Sequence, residues 1–228
     1  GGQSQKANQR ERSSIHFYTL SGFGEGEGEM PEPSGRMTYM QATSNLTDEI
    51  FPIERGLLLR DDLVGSIMWI QDEVVSPEEL MTKGARRDAR VGERGGLVAR
   101  WDTSDEAVDA YYGVYLATCE RLALRPLPRS FITHERDRAG SAFRLVLAER
   151  EGQVVGGKVY LVSDGYLRII EGSALRDDAS AALMPDVFLT REVLRDALAH
   201  DVRWVDYGIT EGINEGLRAF KRRMGFSE

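Results

Sequence analysis

The segment Asn214–Gly225, near the C-terminus, places basic side chains on one helix face. Three cations recur at steps of three and four residues: Arg218, Lys221 and Arg222. An apolar stripe with the same spacing lies beside them: Leu217, Phe220 and Met224. This pattern predicts a helix that packs through its apolar stripe. Two interpretations of the cations stay open, because they can balance the dipole at a helix C-terminus or face a substrate.

A second group of cations follows helical spacing further upstream. Its members are Lys83, Arg86, Arg87, Arg90 and Arg94. Guanidinium groups bind phosphates through paired hydrogen bonds, so Arg86, Arg87 and Arg90 are candidates for binding a phosphate-bearing ligand. The alternative is a solvated helix face that balances the acidic N-terminal part of the chain.

Two carboxylates are candidate proton acceptors. Asp206 lies near the end of the apolar segment Arg203–Gly208, where packing rarely requires a charged side chain. It can also serve as a cap or turn partner for the helix that follows. Glu171, at the end of the segment Tyr166–Glu171, is the second candidate, and we rank it below Asp206.

Composition excludes several classes of protein and site. The net charge is −8 over 228 residues, so the overall basic charge of a nucleic-acid-binding protein is absent, and we expect no DNA partner. The histidines His16, His134 and His200 lack metal-ligand spacing, so no metal site is expected. No apolar run approaches a membrane helix, and the single Cys119 fits a reducing compartment. We therefore expect a cytoplasmic protein without membrane insertion.

The chain divides by composition into three parts. Residues 1–14 are polar and indicate a disordered tail or cloning remnant. Residues 15–75 indicate an abbreviated N-terminal segment or partial first lobe, with short apolar runs and an acidic Gly-rich loop that does not fit a phosphate-binding motif. Residues 76–228 carry sharper helix and strand signals and are predicted to form the main domain.

Helical and strand-like periodicities alternate along residues 76–228. The predicted helices cover 76–94, 104–123, 185–199 and 214–225. The predicted strands cover 97–101, 143–149, 153–162, 166–171 and 203–208. Residues 124–140 are predicted to be a loop with one helical turn. This order predicts an α/β fold with a mixed sheet, in which an antiparallel meander precedes a helix crossover and helices cover both faces.

Three motifs resemble the GNAT acyltransferase superfamily, in the branch of Fem-type peptidoglycan-bridge aminoacyltransferases and related acetyltransferase domains. They are KGARRDARVGERGGLVAR (Lys83–Arg100), DYGIT (Asp206–Thr210) and NEGLRAFKRRMG (Asn214–Gly225). The order of predicted elements over the last two thirds of the chain also resembles the GNAT fold. Proteins of that branch usually carry two tandem lobes, and residues 1–75 are too few for a complete first lobe.

The resemblance implies transfer of an acyl or aminoacyl group to an amine of a small or cell-wall-precursor-like acceptor. The donor is then either charged tRNA or acyl-coenzyme A, with no cofactor held permanently and no covalent enzyme intermediate. Lys221, the lysine of the F-K pair, is implied to lie near the oxyanion that develops at the attacked carbonyl. The remaining candidate substrate-binding residues of these motifs are Tyr207, Thr210, Asn214 and Phe220. Asn214 is also a candidate N-cap, and Phe220 a candidate core residue.

One motif of the superfamily is degraded in this chain. Relatives that use coenzyme A carry a Gln or Arg followed by a Gly-rich turn, and the corresponding stretch here is RDDASA (Arg176–Ala181). Ala179 replaces a glycine that allows close backbone approach, and Asp177 and Asp178 add charge of the wrong sign. The coenzyme A interpretation is weakened but not excluded.

Two other functions remain open at this stage. The first is a catalytically inactive GNAT module that binds a phosphate-bearing ligand or a partner protein, which the abbreviated first lobe favours. The second is direct RNA binding through the two basic helices, which the overall acidity disfavours. A cysteine nucleophile is disfavoured, because Cys119 falls on the apolar stripe of the helix predicted over 104–123.

Overall fold

The computed structural model describes residues 63–228, and these residues form one six-stranded sheet. The strands are β1 (Leu63–Trp69), β2 (Val98–Trp101), β3 (Phe143–Arg150), β4 (Gln153–Ser163), β5 (Tyr166–Ala174) and β6 (Trp204–Glu211). Their order across the sheet is β1-β6-β5-β4-β3-β2. The predicted tail over 1–14 and the features predicted between residues 15 and 62 lie outside the described residues.

Antiparallel pairing dominates this sheet. Strands β3, β4 and β5 form an antiparallel meander, β2 pairs antiparallel with β3, and β1 pairs antiparallel with β6. Only β5 and β6 pair in parallel, which requires a crossover connection between them. The predicted mixed sheet, with its meander and crossover, is confirmed. Strand β1 lies within the sequence segment 15–75, but it pairs with β6 and so belongs to the same sheet as the strands of residues 76–228.

Helices cover both faces of the sheet, as predicted. They are α1 (Pro77–Leu80), α2 (Lys83–Arg94), α3 (Asp105–Leu122), α4 (Arg129–Ala139), α5 (Asp178–Ala181), α6 (Pro185–Ala199) and α7 (Glu215–Arg223). Alternate residues of β3 join different hydrophobic clusters: Val146 packs with α2 and α6, and Leu147 packs with α3 and α4. Successive side chains of a strand point to opposite faces, so these two helix pairs bury opposite sides of the sheet.

The single helix predicted over 76–94 is wrong, because the chain forms two helices there. Met81 and Thr82 have extended backbone conformations between α1 and α2. The Thr82 hydroxyl accepts a hydrogen bond from the Ala85 amide and donates one to the Arg223 carbonyl at 2.6 Å. Thr82 therefore caps α2 and ties its start to the end of α7, which interrupts the helix.

The loop predicted over 124–140 is also wrong in extent, because α4 occupies eleven of these residues. Only Ile132 and Glu135 of this helix are buried, so its sequence carries little amphipathic signal. Leu217, which the apolar stripe predicted to be buried, is exposed and lies in the first turn of α7. The predicted N-cap Asn214 is confirmed, and Ser104, the first residue of the helix predicted over 104–123, caps α3.

Candidate active site

A crevice opens in the middle of the sheet, where β5 and β6 separate. Their parallel pairing joins Tyr166–Arg168 to Trp204–Asp206 and extends no further. Strand β5 continues to Ala174 on its pairing with β4, and β6 continues to Glu211 on its pairing with β1. The C-terminal ends of neighbouring strands that diverge in this way form a common ligand site of α/β sheets.

A bulge in β6 shapes one wall of the crevice. One residue separates Gly65 from Ile67 on β1. Two residues separate the residues of β6 that pair with them, so β6 carries one extra residue. Gly208 lies in this bulge with φ of 71°, a conformation that favours glycine. Its amide donates to Asp206 Oδ1 at 2.6 Å, and its carbonyl accepts from Lys221 Nζ at 3.0 Å. The bulge therefore joins Asp206 and Lys221 through one peptide unit.

Lys221 is buried, although its helix is rich in exposed cations. Only 2% of its surface is exposed, and Nζ lies 5.2 Å from the centre of the Tyr207 ring. Burial lowers the pKa of Lys221 to about 8; Asp206 acts to raise that pKa, while the positive charges of Lys158 and Arg168 lower it further. The surroundings of protonated Lys221 therefore compensate its positive charge only in part.

Asp206 is held in place by three donors. Its side chain is 1% exposed and accepts hydrogen bonds from the Tyr166 hydroxyl at 2.7 Å and from Arg168 at 3.1 Å, besides the Gly208 amide. These donors satisfy the buried carboxylate and fix its orientation. The structure thus brings Asp206 and Lys221 together, with Asp206 as a fixed negative charge beside the ammonium group.

Tyr207 connects Lys221 to a second buried lysine. The ring of Tyr207 packs edge-on against Phe220 and Phe226, with centroids 6.2 Å and 5.0 Å away. Its hydroxyl accepts a hydrogen bond from Lys158 Nζ at 2.6 Å. We call Lys158, Arg168, Asp206, Tyr207 and Lys221 the crevice cluster. Three of its five members carry positive charge, and only Asp206 is acidic.

Sequence reasoning missed Lys158. This residue lies in the middle of β4 and is 2% exposed. Burial acts to lower the pKa of Lys158, but Tyr207, Asp186 and Glu171 together raise it above its ordinary value. A signal was present in the sequence, because Lys158 interrupts the apolar run of a buried strand. Arg168 interrupts the run of β5 in the same way.

Gly172 makes room for Lys158. It pairs with Lys158 across β4 and β5, and a Cβ atom at Gly172 would lie 2.7 Å from Lys158 Nζ and 3.2 Å from its Cγ. The lysine side chain therefore crosses the position that a side chain of residue 172 would occupy. The adjacent Glu171 accepts a hydrogen bond from the Gly172 amide at 3.0 Å and lies close enough to affect the pKa of Lys158.

The other predicted site residues divide into two groups. Phe220 contacts the crevice cluster through Tyr207, and Thr210 is buried further along β6. Asn214 instead caps α7, where its side chain accepts from the Leu217 amide. Arg218 and Arg222, the neighbours of Lys221 on the helix face, both form ion pairs with Glu228. Of the three cations on this helix face, Arg218, Lys221 and Arg222, the fold buries Lys221.

The basic stripe of α2 lies apart from the crevice cluster. Arg86 is partly buried and donates to the Glu78 carbonyl at 3.3 Å. Arg87 and Arg90 are exposed, and Arg87 contacts Asp88 at 3.2 Å. The N-terminus of α2 contacts the end of α7 through Thr82 and through an ion pair between Asp88 and Arg223. The stripe thus adjoins the helix of Lys221 but contributes no residue to the crevice cluster.

The segment Arg176–Ala181 uses its own polar groups internally. Asp177 Oδ1 accepts from the Ser180 amide at 3.0 Å, and this hydrogen bond lowers the pKa of Asp177. Arg176 forms an ion pair with Asp186 in the first turn of α6. The Ser180 amide and the Arg176 guanidinium could otherwise bind a pyrophosphate, but both are already bonded to carboxylates.

A profile of the acetyltransferase (GNAT) domain matches residues 81–222, which is more than half of the chain. This chain belongs to the GNAT acetyltransferase family. The match includes the basic helix α2, the meander, the crossover helix α6 and Lys221 itself. No curated protein matches this GNAT chain.

Solved structures share the fold at low sequence identity. FemX has 12% identity and a TM-score of 0.63, with 73% of this chain and 59% of that chain covered. A conserved protein of unknown function from Bacteroides thetaiotaomicron has 12% identity and a TM-score of 0.51, with coverages of 78% and 60%. The C-terminal domain (DUF2156) of a putative lysylphosphatidylglycerol synthetase from Agrobacterium fabrum has 15% identity and a TM-score of 0.50, with coverages of 70% and 55%.

These comparisons confirm the GNAT fold predicted from the motifs. The GNAT chain spans between half and two thirds of the length of each of these three structures. Within residues 63–228, no helix combines the length and apolar character of a membrane span. The same residues contain no group of three or more side chains suited to hold a metal ion.

Proposed function

We propose that this GNAT protein is an N-acyltransferase that transfers an acyl or aminoacyl group to an amine. One observation carries the proposal: Lys221 holds an ammonium group in the crevice, buried and bonded to a backbone carbonyl. A buried ammonium costs stability, and packing does not require it. Its position favours stabilisation of negative charge that appears only during a reaction.

The proposed reaction begins when a neutral amine attacks the carbonyl carbon of the donor and a C–N bond forms. The carbonyl oxygen gains negative charge, which the Lys221 ammonium stabilises. The C–O bond of an ester donor, or the C–S bond of a thioester donor, then breaks. The leaving group departs with the electron pair of that bond. The proton that the amine loses then neutralises the negative charge of the leaving group.

The two candidate carboxylates receive different roles in this proposal. Asp206 already accepts three hydrogen bonds, and its charge helps to keep Lys221 protonated. These contacts favour a positioning and electrostatic role. Glu171 lies near the same cluster on β5, and we assign it the transfer of the amine proton to the leaving group.

We propose an aminoacyl ester, as in charged tRNA, as the donor in preference to acyl-coenzyme A. The internal contacts of Asp177 and Arg176 support this choice, because they leave the segment 176–181 poorly suited to a pyrophosphate. The exposed arginines of α2, Arg87 and Arg90, are suited to the phosphates of a nucleic-acid donor or of a nucleotide-linked acceptor.

The test compares Lys221→Met with Arg222→Met in acyl-transfer assays supplied with aminoacyl-tRNA or acetyl-coenzyme A and a panel of primary amines. Both changes remove one positive charge from α7, but Arg222 is exposed and paired with Glu215 and Glu228. Lys221→Met should lower turnover about a hundredfold or more, and Arg222→Met should retain it. Full turnover in Lys221→Met would remove the assigned role. A wild-type protein inactive with both donors would favour a non-catalytic binding module.

A further inference from the structure

Four exposed cations form a straight row along α2. A helix turns by about 100° per residue, so side chains at successive steps of four, three and four residues lie within about 60° of one another around its axis. The rise of about 1.5 Å per residue makes such a row roughly 16 Å long. We call this set the cationic row of α2, and its members are Lys83, Arg87, Arg90 and Arg94.

The cationic row points away from the core. The opposite side of α2 is buried and consists largely of small residues, among them Ala85, Ala89 and Gly92. A Cβ atom at Gly92 would lie 2.7 Å from the Leu183 carbonyl oxygen and 3.3 Å from Phe188 Cβ of α6. The row is therefore carried by a helix that is closely packed on its other side.

The two carboxylates of α2 leave most of this row unpaired. Asp88 is buried and forms an ion pair with Arg223 of α7, and Glu93 pairs with Arg191 of α6 at 3.2 Å. In the part of the chain that the structure describes, Arg87 is the only member of the row with a carboxylate partner, its neighbour Asp88. A chain with a net charge of −8 thus exposes a row of largely uncompensated positive charge.

The cationic row lies on the same side of the sheet as the buried lysines. Helices α2 and α6 pack against Tyr160 of β4, and Lys158, two residues earlier on that strand, points to the same face. At the N-terminal end of the row, the Thr82 hydroxyl bonds to the carbonyl of Arg223, which follows Lys221 by two residues. A ligand that lies along the row and extends past this end therefore meets the helix of Lys221.

We propose that the cationic row of α2 binds the sugar–phosphate backbone of an RNA stem, the stem whose end carries the acyl group to the crevice. The inference rests on the proposed function for the identity of this RNA as the donor. Guanidinium groups form paired hydrogen bonds with phosphates. The deep, narrow major groove of an RNA stem keeps side chains from the base edges, so binding is independent of the stem sequence.

The shape and composition of the row disfavour other anionic partners. A helix that binds a membrane surface inserts an apolar face among the lipids, whereas every exposed residue of α2 is charged and its apolar side is packed in the core. A single small phosphate needs donors that converge on one point, but these cations are spread along the whole helix. The row therefore fits a partner with several phosphates in succession.

The experiment measures binding of the complete protein to an RNA hairpin with a single-stranded 3′ end and no acyl group, by fluorescence anisotropy. The salt concentration is varied between about 50 and 200 mM. In the double variant Arg87→Gln, Arg90→Gln, the slope of log Kd against log salt should fall by about 1.4 to 1.8, since each lost phosphate contact accounts for about 0.7 to 0.9. Affinity at the lowest salt should fall roughly tenfold or more.

The double variant Arg121→Gln, Arg125→Gln is the matched control. It also removes two exposed arginines, but from the end of α3, which covers the opposite face of the sheet. This control should keep the wild-type slope and affinity, and a hairpin with a different stem sequence should bind wild-type protein equally well. Absence of binding, equal losses in both double variants, or strong dependence on the stem sequence would overturn the inference.

Vesicles of phosphatidylglycerol are titrated in the same buffer as the alternative polyanion. Binding to vesicles but not to the hairpin would overturn the RNA assignment and give the row to a membrane. The hairpin carries no acyl group, so the outcome is separable from catalysis. A protein that binds it through the row but transfers no acyl group would keep this surface and lose the proposed function, and acyl transfer unaffected by loss of the row would do the reverse.

Discussion

At the scale of single residues, two buried lysines distinguish the candidate active site. Lys221 and Lys158 both approach Tyr207, and their ammonium groups interact unfavourably with one another. The single carboxylate of the crevice cluster, Asp206, is already bonded to Arg168 and Tyr166. Buried positive charge therefore exceeds buried negative charge here, as expected where an anion forms during a reaction.

Turnover is expected to fall as the pH rises through about 8, because the proposed role requires protonated Lys221 and its pKa is lowered to about 8. Lys158→Met removes a positive charge that helps to lower this pKa, so the fall should move to higher pH. Profiles of kcat against pH for both proteins, with the same donor and acceptor, measure the shift. A rise in turnover near pH 8 that vanishes in Lys221→Met would instead make neutral Lys221 a base.

Lys221→Met is expected to raise the free energy of unfolding at neutral pH by up to about 3 kcal/mol. The pKa of Lys221 is lowered from 10.5 to about 8, and each pKa unit corresponds to about 1.4 kcal/mol. The charged form is penalised in the folded state below about pH 8, and the penalty fades as the pH rises toward 10.5. Urea unfolding at neutral and alkaline pH tests this. Lower stability of the variant at neutral pH would contradict it.

At the scale of elements, two irregular strands create the site. The bulge of β6 at Gly208 directs one peptide unit toward Asp206 and Lys221. Strand β5 carries a bulge at Ile170, which lies between the partners of Val159 and Tyr160 and next to Glu171. Both distortions lie beyond the last β5–β6 pair, where the strands are free of one another. Bulges of this kind commonly re-aim side chains next to active sites.

Gly172→Ala tests the close approach of β4 and β5. Its Cβ would lie 2.7 Å from Lys158 Nζ, so we expect a loss of about 1–3 kcal/mol of stability as Lys158 is displaced from Tyr207. Lys158→Ala should relieve the clash, so the double variant should be more stable than the sum of the single effects predicts. Denaturant unfolding of the full cycle measures this coupling. Additive effects would show that the two positions do not interact.

Gly113→Ala is the control for that cycle. Gly113 lies inside α3, and a Cβ there would meet no atom within 4 Å. The same substitution should therefore raise stability by roughly 0.5–1 kcal/mol through helix propensity. Destabilisation at Gly113 as well would attribute the Gly172 effect to something other than the lysine.

At the scale of the whole molecule, charge is distributed unevenly. The chain carries a net charge of −8, yet the crevice cluster is positive and α2 exposes a basic stripe. The segment 176–181, which lies before the crossover helix α6, is acidic and bonded internally. This arrangement favours a donor that contacts the surface of α2 over one whose pyrophosphate occupies the turn.

Acetyl-coenzyme A is therefore expected to leave the thermal unfolding midpoint of the protein unchanged at fixed salt. A ligand at a hundred times its Kd would add about 2.7 kcal/mol, which corresponds to a rise of several degrees for a protein of this size. Differential scanning fluorimetry with and without acetyl-coenzyme A measures this midpoint. A clear rise would make acyl-coenzyme A the donor, and Asp177→Ala, which frees the Ser180 amide, should then increase the rise.

Much of the fold could be predicted because each element carries its own periodicity. The meander, the crossover and helix α3 follow from alternating apolar residues, short turns and a capping Ser104. The break at Thr82 could not be predicted in this way, since it depends on a hydrogen bond to Arg223, 141 residues away. Helix α4 was missed because its burial rests on only two of its side chains.

Local periodicity and residue types are sufficient to predict the GNAT architecture and the motif that contains Lys221. They leave open whether the cations of α7 face solvent or a substrate. Tertiary packing answers this question, because it buries Lys221 and leaves Arg218 and Arg222 paired with Glu228. The role of Lys158 likewise becomes apparent only from its contacts in three dimensions. Burial and charge compensation depend on strands and helices that are distant in the chain, and spacing along one element does not report them.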